Sequence, residues 1–345
     1  MAHHRASLGA SFRQDVRQSG PSCARYAYQT GSAAMSLEII QASPQSTLQA
    51  TPRTGMRHVG IPASGAADPV SHALGARLVG NDISCASIEI TYGPFEAVFH
   101  CDAHISLAGA VSEAHITDKP VAFHETLKVR SGETLKLGHP ATGLRTYVSV
   151  AGGFKGEVFA SSTSTYLPAH LGGFDGRALK QGDMLAIGEA SFPLPDEPLR
   201  TPSELQLPYT NAFALRATPG PDLPEHEAEI WARSFSATRR ASRIGIELDG
   251  DFPAIEVKPN LPSAGILPGA LQLPPQGRGF LLLPDCQTTG GYPHILQVNR
   301  SDRHLMGQIR PGDSVMFLKR TPDEAAADLK EKQELLLPWM PDFRL

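Results

Sequence analysis

The sequence predicts a mainly β protein made of two β units with a few short helices. Three observations carry that reading. The 32 glycines and 29 prolines among 345 residues cut the apolar segments short, as turns between strands do. One turn-then-strand pattern recurs as SGETLKLG (131–138), QGDMLAIG (181–188) and PGDSVMFL (311–318), each placing a glycine and an acid ahead of an alternating apolar run. The second and third copies lie 130 residues apart and no period of 20–50 residues appears, which suggests two similar β units rather than a solenoid.

Taken in order, residues 1–35 read as a disordered extension. The first 34 carry four arginines (Arg5, Arg13, Arg17, Arg25), one acid (Asp15) and several serines without periodicity, a composition with a transit-like alternative and with Met35 as an alternative start. Residues 36–190 form the first β unit. It is interrupted by DPVSHALGARLVGN, where Asp68 is the N-cap, Pro69 the first helical residue, Val70, Leu74 and Leu78 one apolar face, and Gly80 the stop. Residues 191–210, rich in proline and polar groups, read as a linker. Residues 211–320 form the second β unit, with short helices expected in PEHEAEIWARSF (224–235) and SDRHLMGQ (301–308). Residues 321–345 are a helical tail opened by a Thr321/Glu324 capping box.

Composition excludes several classes of function. The formal net charge is -4, charged residues are 19% and no basic block would track a phosphate backbone, so nucleic acid is not an expected partner. No run approaches the roughly 18 apolar residues of a membrane span. The expectation is a soluble protein with no membrane partner. Four cysteines (Cys23, Cys85, Cys101, Cys286) lack C-x-x-C spacing, which indicates neither a zinc knuckle nor a redox pair and suits a cytoplasmic location.

Few catalytic motifs are present. There is no P-loop and no G-x-G-x-x-G between strand and helix. PASGAAD (62–68) lacks the first glycine of G-x-S-x-G, so Ser64 reads as a turn serine, while the Gly65–Asp68 turn offers either an anion-holding helix entrance or plain capping. HCDAH (100–104) would align His100, Asp102 and His104 on one strand face, yet edge polarity explains it as well and no metal is expected. His294 and His304 read as satisfied polar residues rather than bases. DCQTTGGYPHIL (285–296) follows the apolar run Phe280–Leu283 with two glycines and three hydroxyls, which is either a tight loop or a ligand cradle.

GIPASGAADPVSHALGARLVGN, GLRTYVSVAGGF, GGFDGRALKQGDML, SRIGIELDG, LPGALQLPPQGRGFLLLPDCQTTGGYP and GQIRPGDSVMF together resemble, from about Leu37 to Leu318, one family. Its members are variously called the C component of 5-oxoprolinase, KipA-type antagonist of a kinase inhibitor, and allophanate hydrolase subunit 2, and it is similar to the carboxyltransferase region of urea carboxylase and urea amidolyase. The resemblance implies two cyclophilin-like β-barrel domains. It also implies work as the C component, with a B component and a lactam-utilisation-type A component, of a complex that uses ATP to open the 5-oxoproline lactam to glutamate. The same family admits two alternatives: a regulator binding a kinase-inhibitor-like B component, or a carboxyltransferase module receiving carboxybiotin from another chain.

The resemblance also implies a site. The family's Gln-Asp-x-Gly-Arg turn aligns with Gln49–Arg53, where Ala50 and Pro52 replace the acid and the glycine, and its Ser-Gly-Ala-Met-Asp turn is Ser64–Asp68. Its Gly-Ser-Arg-Ser-Thr stretch is Ser161–Thr165 with Thr163 at the arginine, and its Asp-Arg-Gln-Thr-Thr-Gly-Gly-Tyr-Pro block is Asp285–Pro293 with Cys286 at the arginine. By this transfer Gln49, Arg53, Asp68, Thr289 and Tyr292 are the expected catalytic residues. Ser64, Gly65, Gln272, Gln287, Thr288, Gly290, Gly291, Asp302 and Gln308 are the expected contacts to a small-molecule substrate in the cleft between the two domains. Neither Thr163 nor Cys286 supplies an arginine's fixed charge and bidentate fork, which leaves Arg53, Arg57 and Arg243 as sources of positive charge.

Overall fold

The computed structural model describes residues 35–190, 197–223, 227–253 and 262–345. The expected extension up to residue 34 and the first part of the expected linker, 191–196, lie outside the described residues. Eleven strands precede residue 190: β1 (Ser36–Gln41), β2 (Thr47–Gln49), β3 (Ser87–Thr91), β4 (Phe95–Phe99), β5 (Ala103–Gly109), β6 (Ala114–Ile116), β7 (Lys119–Pro120), β8 (Thr126–Val129), β9 (Thr134–Leu137), β10 (Arg145–Val150) and β11 (Met184–Ala186). Nine follow among the described residues: β12 (Ala212–Pro219), β13 (Ser234–Ala241), β14 (Gly245–Asp249), β15 (Ala264–Gly265), β16 (Ala270–Gln272), β17 (Gly279–Leu282), β18 (Thr289–Gly290), β19 (His294–Val298) and β20 (Ser314–Lys319).

The second β unit is a closed barrel in the order β12-β19-β16-β17-β14-β13-β20. Its strands alternate, so that Leu215, Leu248, Leu271 and Leu281 fill the interior while Glu247, Gln272 and Phe280 face outward. The expectation of a second closed barrel is not met. The first unit is two sheets, β11-β1-β4-β9-β6-β7 and β2-β3-β10-β5-β8, facing one apolar core that includes Leu37, Ile88, Phe99, Leu107, Leu135 and Val148. Only single bridges at Phe154, to Ala86 and to Ile187, connect strand ends at one corner. The edge strands β2 and β7 are three and two residues long, and Pro120 in β7 has no N–H to extend a ladder, so the rim stays open.

The recurring turn is one device used three times. Gly132, Gly182 and Gly312 have φ of 87, 85 and 94°, a conformation that favours glycine. Each following acid, Glu133, Asp183 and Asp313, accepts a hydrogen bond from the backbone N–H three residues earlier, at 2.8, 2.8 and 2.9 Å. The turns deliver β9, β11 and β20.

Helix α1 (Pro69–Leu78) forms as its sequence predicts, with the Asp68 carboxylate accepting from the Ser71 N–H at 3.0 Å and Pro69 in the first turn. Such a cap stabilises a helix by about 1 kcal/mol. The helix is apolar and small on more than one face because it lies on the outer face of β5 and β10, where the Ser106 hydroxyl donates to the Gly75 carbonyl. Among the described residues the remaining α-helices are α2 (Glu227–Ala232), α3 (Arg303–Met306), preceded by a 3-10 turn at Arg300–Asp302, and α4 (Pro322–Leu336) with the expected capping box. Leu336 of α4, with Met340 and Phe343, packs on Val70, Ala73 and Leu74 of α1, joining the chain's end to the first unit.

Candidate functional site

The sheets of the first unit and the barrel meet at a buried polar seam. At its centre is Arg243, between β13 and β14 and 2% exposed. Its guanidinium donates to both Asp285 oxygens (2.8 and 3.1 Å), to Glu89 on β3, to the Gly65 carbonyl (2.6 Å) and to the Gln49 side chain (3.3 Å). Glu89 in turn accepts from the Ala67 N–H and the Tyr147 hydroxyl, both at 2.8 Å, and lies 3.3 Å from the Arg145 Nε. Burial works to raise the Glu89 pKa, but Arg243 and Arg145 outweigh it and hold the carboxyl below its usual range. Burial likewise opposes the charge of Arg243, and Asp285 and Glu89 raise its pKa. Burial pushes the Tyr147 phenol well up, with Glu89 and Asp68 adding to the effect, so it stays a donor.

Several residues singled out from sequence belong to this seam, and their hydrogen-bonding capacity is spent on the protein. The Asp68 carboxylate accepts from the Ser71 N–H and hydroxyl, the Tyr209 hydroxyl and the Gln308 amide. The Gln308 side-chain oxygen accepts from the Leu144 and Arg145 N–H groups, and its nitrogen also donates to the Arg145 carbonyl. Gln49 donates to Thr47 and to the Thr165 carbonyl. At the Gly65–Asp68 turn the capping reading is favoured over the anion-holding one: the Ala66, Ala67, Asp68 and Ser71 N–H groups donate to Ala50, Glu89, Tyr147 and Asp68. The Asp302 carboxylate is tied to the Arg216 guanidinium and main chain, and Arg216 also reaches Asp328 on α4 at 2.9 Å.

Three polar groups at the seam are not spent. Arg53, 2% exposed, donates through one Nη to the Ser164 carbonyl while its Nε and other Nη have no partner, and Arg57 and the Ser64 hydroxyl also keep unpartnered buried atoms. Arg57 reaches across from the first unit to the Ile266 carbonyl beside the 285–292 loop. In that loop Cys286 is fully buried against Ile266, Ala270 and Leu282, and burial pushes its thiol up to about 11, although Arg57 pulls the other way. Neither nitrogen of the buried His304 has a partner, and burial lowers its pKa to about 4. His100 and Asp102 sit in the turn between β4 and β5, occupied by Glu38 and the Ser131 N–H, so HCDAH does not form one strand face.

Beyond the buried Asp285 and Cys286 the loop is exposed or half-buried from Gln287 to Tyr292. Thr289–Gly290 pairs with Ala264–Gly265 as a two-stranded flap, and the Ile266 N–H donates to the Thr288 carbonyl. A side chain at Gly290 would stand 2.3 Å from the Ile266 methyl and 2.9 Å from the Gln272 amide nitrogen, so glycine here permits close packing on the protein's own residues. The flap borders a groove of about 400 Å³ on the outer barrel face, lined by Gln272, Gln287 and Tyr292 together with Arg240, Glu247, Arg278 and Phe280. Gln272 is fixed there, donating to the Tyr292 carbonyl and accepting from the Gln287 amide, both at 3.2 Å. The structure thus separates the expected site into two sets: Gln49, Ser64, Gly65, Asp68 and Gln308 in the seam, and Gln272, Gln287 and Tyr292 in the groove. Arg240, Glu247 and Arg278 escaped sequence reasoning. Glu247 stands between Ile246 and Leu248 in β14, Arg240 near the end of the polar strand β13 and Arg278 just before β17, a placement with no motif to mark it.

Comparison with known proteins agrees with this architecture. The profile of the carboxyltransferase domain, subdomain A and B, matches residues 59–319. The chain is 34% identical over 302 residues to the C component of 5-oxoprolinase from Escherichia coli, covering 86% of this chain and 94% of that one. It is 31% identical over 306 residues to the C component of 5-oxoprolinase from Haemophilus influenzae, covering 87% and 96%. The urea carboxylase of Kluyveromyces lactis superposes with a TM-score of 0.81 at 25% identity, over 90% of this chain and 30% of that one.

Proposed function

Because the chain belongs to the carboxyltransferase subdomain A and B family, we propose that it is the C component of an ATP-dependent amide hydrolase that opens the 5-oxoproline lactam to glutamate. The observation that supports the choice within the family is similarity: the chain is 34% identical to the 5-oxoprolinase C component over 302 residues, against 25% identity to the urea carboxylase.

In the overall reaction water adds to the lactam carbonyl carbon, the ring C–N bond breaks, and the nitrogen leaves as an amine once protonated, giving a second carboxylate. Amide carbonyls resist such attack until charge on the carbonyl oxygen is stabilised. The sequence has no P-loop, and the Ala67, Asp68 and Ser71 amides at the glycine turn before α1 donate within the protein, which supports a nucleotide held elsewhere in the complex. In this reading ATP is held by the complex with the partner components of types A and B, and this chain holds the substrate beside them. A carboxyltransferase role would need biotin carried on another chain.

The test is glutamate formation from 5-oxoproline and ATP by the assembled complex, with each component omitted in turn. Loss of turnover on omitting this chain is expected. Undiminished turnover without it would remove the reading and leave the regulatory role.

A further inference from the structure

We propose that Arg53, Arg57 and Ser64 form a seat for a phosphate dianion, free or carried on an activated amide, where the first unit meets the 285–292 loop. The inference rests on the function proposed above only for the source of the phosphate, ATP held elsewhere in the complex. Its physical basis is a pair of buried or half-buried positive charges that the protein leaves unmatched.

The main chain draws the three residues together. The Arg53 N–H donates to the Ala63 carbonyl at 2.8 Å, and the residue after Ala63, Ser64, donates its N–H to the Pro284 carbonyl at 3.3 Å. Arg57 comes in from the same segment, donating to the Ile266 carbonyl and facing the Cys286 thiol. Four buried polar atoms are left there without a partner: the Arg53 Nε and one of its Nη atoms, one Arg57 Nη, and the Ser64 Oγ. The Arg53 guanidinium carbon lies 5.8 Å over the Phe159 ring, which covers one face and leaves the hydrogen-bonding edge open. Thr54, Gly55, His58 and Gln287, next to these residues in the chain, are exposed, so an ion has a short way in from solvent.

Charge decides the class of ligand. The Arg53 and Arg57 side chains donate to main-chain carbonyls, and among the described residues neither forms an ion pair. The acids of the seam beside them are already matched, Asp285 and Glu89 against Arg243 and Arg145. Asp68, the other seam acid, faces Lys332 and His304 instead. Arg303, whose guanidinium donates to the Val298 carbonyl, also faces Cys286 and adds to the positive field. Burial lowers the Arg53 pKa and Asp285 is the main influence opposing it, as expected of a buried cation without its own counter-ion. Such a charge costs stability until an anion meets it. At least two guanidinium groups in excess match a dianion, whereas a carboxylate would neutralise only one. Phosphate also brings enough oxygens for both guanidinium edges and the hydroxyl.

The test is calorimetric titration of the full chain, at a mildly alkaline pH where phosphate is a dianion, with inorganic phosphate, methyl phosphate and acetate. Inorganic phosphate should bind at one site per chain and at least ~10-fold more tightly than acetate, which forfeits one charged contact. Arg53→Met and Arg57→Gln should each weaken phosphate by ~10-fold or more. Phosphate should raise the Tm of the parent chain and of neither variant. If Arg53→Met fails to fold, the half-buried Arg57 position keeps the test decisive. Binding of methyl phosphate as well as inorganic phosphate would identify a phosphoryl group carried on the substrate, and binding of inorganic phosphate alone the released product. Equal affinity for phosphate and acetate, unchanged phosphate affinity in both variants, or no phosphate binding would overturn the proposal. The two readings fail separately. Turnover that needs a chain unable to bind phosphate sinks the seat alone, whereas phosphate binding by a chain the complex does not need sinks the hydrolase reading alone.

Discussion

The seam and the groove use the same kinds of residue to opposite effect. In the seam, Arg243 and Glu89 are almost wholly buried, and Glu89, Asp68 and Gln308 each spend their capacity within the protein. In the groove, Arg240 and Arg278 are 77% and 50% exposed on their side chains and share Glu247, with Asp249 also 3.5 Å from Arg278. Buried charges require partners or they cost several kcal/mol each, so the Arg243, Glu89 and Asp68 network holds two units together, and the capacity the seam keeps is confined to Arg53, Arg57 and Ser64 beside it. Half-solvated charges tolerate an open valence. The difference teaches that chemical type does not identify a site; unspent hydrogen-bonding capacity does.

Four outcomes would sharpen or break this contrast. The largest effect belongs to Arg243→Met, which strands Glu89 and Asp285 in the seam and should destabilise the chain by about 3–5 kcal/mol in chemical denaturation. A loss near zero would mean that the seam is not the joint it is described as.

The second is a pH dependence. The buried His304 faces Asp68 and Asp302, which favour its charge, and Lys332 and Arg216, which oppose it, with burial the dominant influence. Its folded pKa of about 4 lies below the ordinary 6.5, so the unfolded chain binds the extra proton first. Stability should be fully present above pH 6.5 and fall as pH drops toward about 4, a slope that His304→Phe should flatten. An unchanged slope in the variant would show that the imidazole is not the group responsible.

Gly290→Val comes third. Its new side chain would collide with Ile266 and displace Gln272, at about 1–3 kcal/mol of stability with disproportionate loss of ligand binding. If binding survives, the flap is not part of the groove's function. The smallest stability change is expected for Arg278→Gln, under about 1 kcal/mol, because half of that side chain is already in water. A collapse of folding there would make the groove structural.

The contrast also explains what the sequence could disclose. Features set by neighbours in the chain were legible: the Asp68-Pro69 helix start, the Thr321/Glu324 capping box and the three glycine-acid turns each follow from a few adjacent residues. Barrel closure was not, because it depends on how strand ends meet: β12 and β20 pair in parallel across about a hundred residues, while β2 and β7 fail to close the first unit's sheets. Glu89, between Ile88 and Ile90, reads as a solvent-facing residue of an alternating strand. It is buried because α1 covers that outer face and Arg243 arrives from 154 residues away. Recognisable motifs located Gln49 and Asp68, yet their saturation is a three-dimensional property that no motif records.

The most direct measurement of the central claim is hydrogen–deuterium exchange on the assembled complex with and without 5-oxoproline. The account predicts ligand-dependent protection in residues 270–292, around the flap and groove, with the 64–72 amides of the seam slow and unchanged in both states. Protection confined to the seam, with the groove exchanging as before, would contradict it.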